Sequence, residues 1–388
     1  MKFDHYEIAK YRPELKNEIA RLQTHLWGPD VQLNSRYFTW KYGDNPYCDE
    51  PLVYVAISSG HVVGMIGLVG TRWEVGTPQR ITFALATGDT VIDPAHRDRA
   101  LFTKMFDVAL RDLRGSKFEF VYCMSAIRVT RLSLLMSGWR SVGSLEWGYR
   151  LSRMRAGYAG IRRLASRVPV LSTASRFLAR PATVVREQAS RGSGFDALDR
   201  HAAGSRRKYT GRVSISRAPR GEAMAELVER SVGDGRYRLA RDAEYYTWRF
   251  QNPRSHYRFV YCGEDVLQGY LVLQWSNDEK DKRVRILDWE APECAVFLDM
   301  VKTAIAAGKF PVLTTWSAPL TEAQVKGLET IGFKFTDQEI DSRRHAYASP
   351  LLVKPLREKG AHPEETESQR SLFDLANWDL REVFSDHN

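Results

Sequence analysis

Thr87-Gly-Asp-Thr-Val-Ile-Asp-Pro-Ala-His-Arg-Asp-Arg-Ala-Leu-Phe102 is the stretch on which the reading of this chain turns. Its periodicity changes halfway. Ile81 to Ala86 and on to Ile92 reads as a strand, which ends at Asp93-Pro94. Phe102, Phe106, Ala109, Leu110 and Leu113 then recur at helical spacing, so an amphipathic helix is expected to run to about Arg114 and stop before Gly115. The first turn of a helix leaves its N–H groups unpaired and carries partial positive charge. A strand, a short basic loop and a helix N-terminus therefore make an anion site, to which Arg97 and Arg99 add full charges.

Working outward, the segments before this stretch occur twice in the chain. Tyr37, Thr39, Trp40, Asn45 and Pro46 recur as Tyr245, Thr247, Trp248, Asn252 and Pro253 with a one-residue gap. A β-rich segment, a turn and a glycine-bearing strand follow in each case: Leu52–Ile57, Ser58–His61 and Val62–Leu68 against Arg258–Cys262, Gly263–Asp265 and Val266–Leu273. Later, Ser137-Gly-Trp-Arg-Ser-Val142 has a counterpart in Ile331-Gly-Phe-Lys-Phe335. These marks predict two copies of one α/β unit. The second copy runs through Leu287-Asp-Trp-Glu-Ala-Pro292 into Glu293-Cys-Ala-Val-Phe297 without an arginine or glycine loop, and places Glu290 and Glu293 where phosphates would need cations. It is expected not to hold a phosphate.

Charge separates the copies. Between 151 and 208 there are thirteen Arg or Lys and three acids, a net of +10 that equals the formal charge of the whole 388-residue chain. This segment reads as short helical pieces broken at Pro169 and Pro181, with a solvated basic face, an anionic membrane surface or an acidic carrier protein as its possible contacts. Nucleic acid is not expected as a partner, because no aromatic stacking series accompanies the charge. The domains expected are 1–150, a basic helical linker 151–210, a second copy 211–356, and a polar tail with a docking element, 357–388, bearing Phe373, Leu375, Trp378, Leu380 and Phe384. At 43% apolar and 27% charged residues the chain is able to bury real cores. Four scattered cysteines give neither a disulfide framework nor a metal spacing, and no apolar run is long enough to span a bilayer. The expected location is cytoplasmic, with peripheral contact at the inner membrane face left open.

The stretch Thr87–Phe102 resembles motif A of the GNAT N-acetyltransferase superfamily, in which a strand leads into Arg/Gln-x-x-Gly-x-Gly/Ala and backbone amides hold the coenzyme A pyrophosphate. Arg97 takes the Arg/Gln place, Ala100 the first Gly and Phe102 the last Gly/Ala. Gly-Asp-Thr before the strand end, the Leu-Phe of the loop and the opening Tyr11–Glu14, Tyr37–Tyr42 and Asn45–Tyr47 are similar to a subgroup found in bacterial polysaccharide gene clusters. The resemblance implies an α/β fold of two tandem domains, each a mixed, mostly antiparallel sheet flanked by helices, the second copy degenerate. It implies an acyl-CoA donor, acetyl-CoA or a longer homologue, held by Val91, Ile92, Arg97, Asp98, Arg99, Ala100, Leu101, Phe102 and Thr103, with no metal. The acceptor would be a small primary amine, for which the subgroup suggests an amino sugar.

Acyl transfer to an amine needs a base, a donor to the thioester oxygen and alignment of the two reactants. Asp89, two residues before Val91 on the strand beside the thioester, is the expected base, with Glu146 second. A backbone N–H of the Val91 region is the expected oxyanion donor. The family often carries a Tyr four residues before its Gly-Phe/Trp element to protonate the thiolate; here that place is Leu134, which leaves Tyr122 or Ser125. No Ser-His-Asp or Cys-His pattern calls for a covalent intermediate, so direct attack in a ternary complex is expected. Two further readings stay open: transfer from an acyl carrier protein docked on the basic linker, and a non-catalytic protein that holds an anionic surface or polymer there.

Overall fold

The computed structural model describes residues 6–97, 99–125, 127–152, 193–204, 213–231, 233–276, 283–308, 310–336, 349–356 and 372–384. The helical pieces expected between Tyr158 and Val185, and the polar tail from Arg357 to Arg370, lie outside the described residues. The chain forms two compact units: Met1–Glu146 with Glu229–Arg254 and Asp337–Asn388, and Trp147–Val228 with Ser255–Thr336.

In the first unit, β1 (Glu7–Lys10), β2 (Val53–Ser58), β3 (His61–Val75), β4 (Arg80–Ile92) and β5 (Phe118–Cys123) lie side by side. The neighbours pair antiparallel except β4 and β5, which run parallel. The two-residue turn between β2 and β3 is Ser59-Gly60, both with positive φ, the conformation whose twist suits a tight hairpin. The helix read from the sequence is α4, Arg99–Asp112, preceded in the chain by α1 (Lys16–Leu22), α2 (Thr24–Trp27) and α3 (Val31–Phe38). Leu101, Met105, Phe106, Ala109, Leu110 and Leu113 of α4 and its exit are buried with Ile66, Leu68, Leu85 and Val121 from one face of the sheet. Each such large side chain contributes about 1.5–3 kcal/mol on leaving water. Gly115 ends the helix at φ +76°.

Trp73, Phe120 and Tyr122 point to the opposite face. There Trp378 packs edge-on to Trp73 at 5.2 Å and stacks on Tyr237 at 4.5 Å, while Phe384 meets Trp73 at 5.5 Å. The C-terminal aromatic element thus covers the sheet of the first copy. On the same face Trp40, in the helical turn that follows α3, stacks on Trp248 of helix Ala243–Arg249, with ring centroids 5.4 Å apart. Each indole N–H donates to the other's carbonyl, at 2.8 and 2.7 Å. The recurrence of the Tyr-x-Thr-Trp motif is therefore the recurrence of a self-complementary contact.

The second unit has a sheet of Lys334–Thr336, Trp147–Leu151, Val312–Trp316, Arg283–Glu290, Gly269–Ser276, Ser255–Cys262 and Val213–Ser216, in that order. Helix Cys294–Ala307 seals one side of it with Phe297, Met300, Val301 and Ala304. Arg283–Glu290 and Val312–Trp316 form its one parallel pair among the described strands. Both sheets are mixed and mostly antiparallel.

The matched glycines also have a cause. After α5 (Arg128–Met136) and after helix Glu322–Thr330, Gly138 and Gly332 take positive φ. The N–H groups of Trp139 and Phe333 then return to the carbonyls of Leu134 and Leu328, closing the same left-handed helix cap twice.

Two features depart from contiguous domains at 1–150 and 211–356: Glu229–Arg254 belongs to the first unit, where Leu239 and Arg238 pair with Trp73 and Glu74 of β3, and the last strands are exchanged. Strand Ser349–Pro355 of the second copy lies in the first unit's sheet, between β5 and β6 (Arg140–Leu145). Trp147–Leu151 of the first copy lies in the second unit's sheet, between Val312–Trp316 and Lys334–Thr336. The copies exchange their last strands, so the units are interleaved in sequence. Among the described residues no helix is long and apolar enough to cross a membrane.

Candidate active site

β3 and β4 pair through Leu68↔Thr87 and Ile66↔Thr90, so Gly88 and Asp89 face the single residue Gly67 and β4 bulges there. Tyr42 fixes the bulge. A Cβ at Gly67 would lie 2.3 Å from its ring and one at Gly88 2.5 Å from its hydroxyl, so only glycine fits at either position. The Asp89 N–H donates to Tyr42 Oη at 2.8 Å. The second unit repeats the irregularity: Val272 pairs with Asp288 and Leu273 with Ile286, which leaves Leu287 unpaired where the first unit has the Gly88-Asp89 bulge.

Asp89 is 1% exposed. Its Oδ2 accepts from Gln23 Nε2 at 2.6 Å and Trp27 Nε1 at 3.1 Å, and its Oδ1 from Lys41 Nζ at 2.9 Å. Lys41 is buried as well, donates to Tyr37 Oη at 3.1 Å, and sits among the rings of Tyr37, Tyr42 and Trp27. The carboxylate fixes the Gln23 amide with its nitrogen inward, and Gln23 Oε1 is left buried without a hydrogen-bond partner. Arg254 lies over the faces of Trp27 and Tyr37, donates to Asn34 Oδ1 and Trp27 O, and has its pKa lowered by burial. Lys41 also lines a cavity of about 50 Å³ with Trp40, Thr71, Ala86, Trp248 and Arg249. That is space for a few waters.

β4 and β5 last pair at Ala86↔Tyr122, yet β4 continues six residues further, to Ile92. The strands part beside the bulge, and the open stretch of β4 leads through Asp93-Pro94 to the N-terminus of α4. Arg97 is exposed and donates to Ile92 O at 3.3 Å. Asp98 lies outside the described residues, and α4 begins at Arg99. Ala100 raises no backbone difficulty: it is helical, and Ser59 is the one non-glycine residue with positive φ among those described. Leu101 is buried; Phe102, Thr103 and Ile92 are half-buried; Val91 is 5% exposed. A helix N-terminus, an exposed arginine and a parted pair of strands are thus close together along the chain.

The expected acid and base candidates do not meet there. Glu146 is exposed where the chain leaves the first unit, after β6. Tyr122 is 1% exposed and packs edge-on to Trp73, on the face away from α4. Ser125 is half-buried just beyond β5, its Oγ accepting the Ile127 N–H at 3.2 Å. It lies three residues beyond Tyr122, the last residue of β5 that pairs with β4. Leu134 is fully buried in the core. Sequence reasoning missed Gln23, Trp27 and Lys41. Lys41 gave the one available signal, a cation between Trp40 and Tyr42 in the segment that recurs at 245–253. Among the described residues no cluster of three or more His, Cys, Asp or Glu side chains has a metal-binding arrangement.

No family model and no curated protein sequence matches this chain. Solved structures do. A GCN5-related N-acetyltransferase from Anabaena variabilis ATCC 29413 aligns with a TM-score of 0.57 at 11% identity, over 90% of this chain and 73% of that one. A conserved protein of unknown function from Enterococcus faecalis V583, described as a probable N-acyltransferase, gives 0.55 at 9% identity over the same shares. A GCN5-related N-acetyltransferase from Kribbella flavida gives 0.51 at 12% identity, over 90% of this chain and 71% of that one. At such identities the likeness concerns the fold, which here is the GNAT fold in a two-unit arrangement.

Proposed function

We propose that the protein is an acyl-CoA-dependent N-acyltransferase whose first unit carries the reaction. The observation that supports this most is the path from the Gly88-Asp89 bulge, along the end of β4 that stays paired to β3 but is no longer paired to β5, to the N-terminus of α4. An acyl-CoA laid on that path would have its pyrophosphate at residues 97–103, where helix amides and Arg97 meet it. Its thioester would lie at the parting of β4 and β5. A backbone N–H of the Val91 region then polarises the carbonyl, and the acceptor amine attacks directly.

Asp89 takes a different part from the one expected of it. Both its oxygens are filled by donors and its side chain has no exposed surface. For it to take a proton, Gln23 or Lys41 would have to withdraw. We assign it the placing of the bulge and of Lys41, and we assign deprotonation of the acceptor to water. Ser125 is the candidate donor to the departing thiolate. The second unit, with Leu287 at the bulge and Glu293 before its helix, serves as scaffold.

Thermal unfolding with acetyl-CoA, longer acyl-CoAs and free coenzyme A tests the donor assignment. A ligand at about a hundred times its dissociation constant adds roughly 2.7 kcal/mol to the folded state. The melting temperature should rise, and Arg97→Ala with Arg99→Ala should abolish the rise. No shift with any of them at millimolar concentration would reject the reading. Thiol release with a panel of primary amines, amino sugars included, then identifies the acceptor.

A further inference from the structure

The far end of α4 carries a second accumulation of positive charge. Arg111 and Arg114, both exposed, border a cleft of about 500 Å³. Its other wall is Lys354, Pro355 and Leu356, at the end of the exchanged strand Ser349–Pro355. Leu110 and Leu356, each 7% exposed, give it an apolar floor, and among the described residues Asp107 is the one carboxylate that lines it.

Lys354 is held in place. Its Nζ donates to the carbonyl of Ser137, the C-cap of α5, at 2.7 Å. Burial lowers its pKa; Asp107 acts against that, and Arg114 adds to it by like-charge repulsion. Complementing helix dipoles explains one cation at each helix end. It does not explain three cations, from segments some 240 residues apart, converging on one cleft.

We propose that this cleft binds the phosphate of a small phosphate ester, with Arg111, Arg114 and Lys354 meeting the anion and Leu110, Pro355 and Leu356 supporting the organic part. Its volume falls in the range of small-molecule sites, about 300–1,000 Å³. Fifteen residues of helix rise, about 22 Å, separate Arg114 from Arg99, so this is not the end of α4 that would meet a donor pyrophosphate. The inference does not depend on the acyl-transfer reading.

Calorimetric titration of the full chain with inorganic phosphate, pyrophosphate and ADP tests it. A binding component is expected that survives Arg97→Ala and weakens about tenfold or more in Arg111→Glu and in Lys354→Met. Tighter binding of ADP than of pyrophosphate would identify an ester as the occupant; equal binding would identify the free inorganic anion, at the same site. Arg111 is exposed, so Arg111→Glu should fold, and its thermal unfolding checks this. Three results would overturn the proposal: no binding of any probe at millimolar concentration, no component sensitive to Arg111→Glu, or no component that survives Arg97→Ala.

Discussion

Removing one member of the Lys41–Asp89 pair should be far more damaging than removing both. The two charges are 2.9 Å apart with side chains 4% and 0% exposed. At an effective dielectric of about 20 their attraction is roughly 6 kcal/mol, set against the cost of taking both out of water. Lys41→Met leaves Asp89 with two neutral donors, Gln23 and Trp27; Asp89→Asn leaves Lys41 buried without its counter-charge. Each single change is expected to cost about 3–5 kcal/mol, which for a unit of this size lowers the melting temperature by about 6–20 °C. The double variant has no stranded charge and should cost no more than either single one, a coupling of at least about 3 kcal/mol. Urea unfolding of the four proteins, followed by tryptophan fluorescence, measures it, since Trp27 and Trp40 adjoin the pair. Single-variant costs that simply add would refute the claim that the pair is a desolvated unit.

Three other outcomes follow from the same geometry. If Asp89 positions the bulge and is not the base, Asp89→Asn lowers turnover without removing the acidic limb of the pH–rate profile; loss of that limb would restore Asp89 as the base. Gly67→Ala should destabilise by about 3 kcal/mol, because its Cβ meets Tyr42, and should cost less than about 1 kcal/mol in a Tyr42→Leu background, as denaturant midpoints will tell. In the second unit, Arg258 and Arg217 lower the Asp199 pKa to about 2. The folded value lies below the unfolded one, so this contribution is complete above about pH 4 and is lost as pH falls from 4 towards 2. Hydrogen exchange of helix Ser193–Gly204 should show that dependence, and Asp199→Asn should flatten it.

Local chemistry was the legible part of the sequence. The change of period at Asp93-Pro94 placed β4 and α4, and the paired Gly138 and Gly332 marked two identical helix caps. These are written in residues whose backbone preferences act within one turn. The exchange of Trp147–Leu151 and Ser349–Pro355 was not legible, because alternation identifies a strand and not the sheet that receives it. The surroundings of Asp89 were hidden for a related reason. Gln23, Trp27 and Lys41 come from three segments of the helical N-terminal region, and only folding brings their donors to one carboxylate. Position along β4 made Asp89 look accessible; burial made it a structural anion.

The strand exchange sets a timetable for synthesis. β5 and β6 leave the ribosome about 200 residues before the strand that must lie between them, a delay of roughly 10–40 s at ordinary elongation rates. During that interval both strands present an unpaired edge, and the nascent first unit is open to association with any other free strand. Trp147–Leu151 meanwhile waits for a sheet not yet made. A fragment ending near residue 150 would keep that edge open for good, so the topology predicts that such a fragment associates where the whole chain does not.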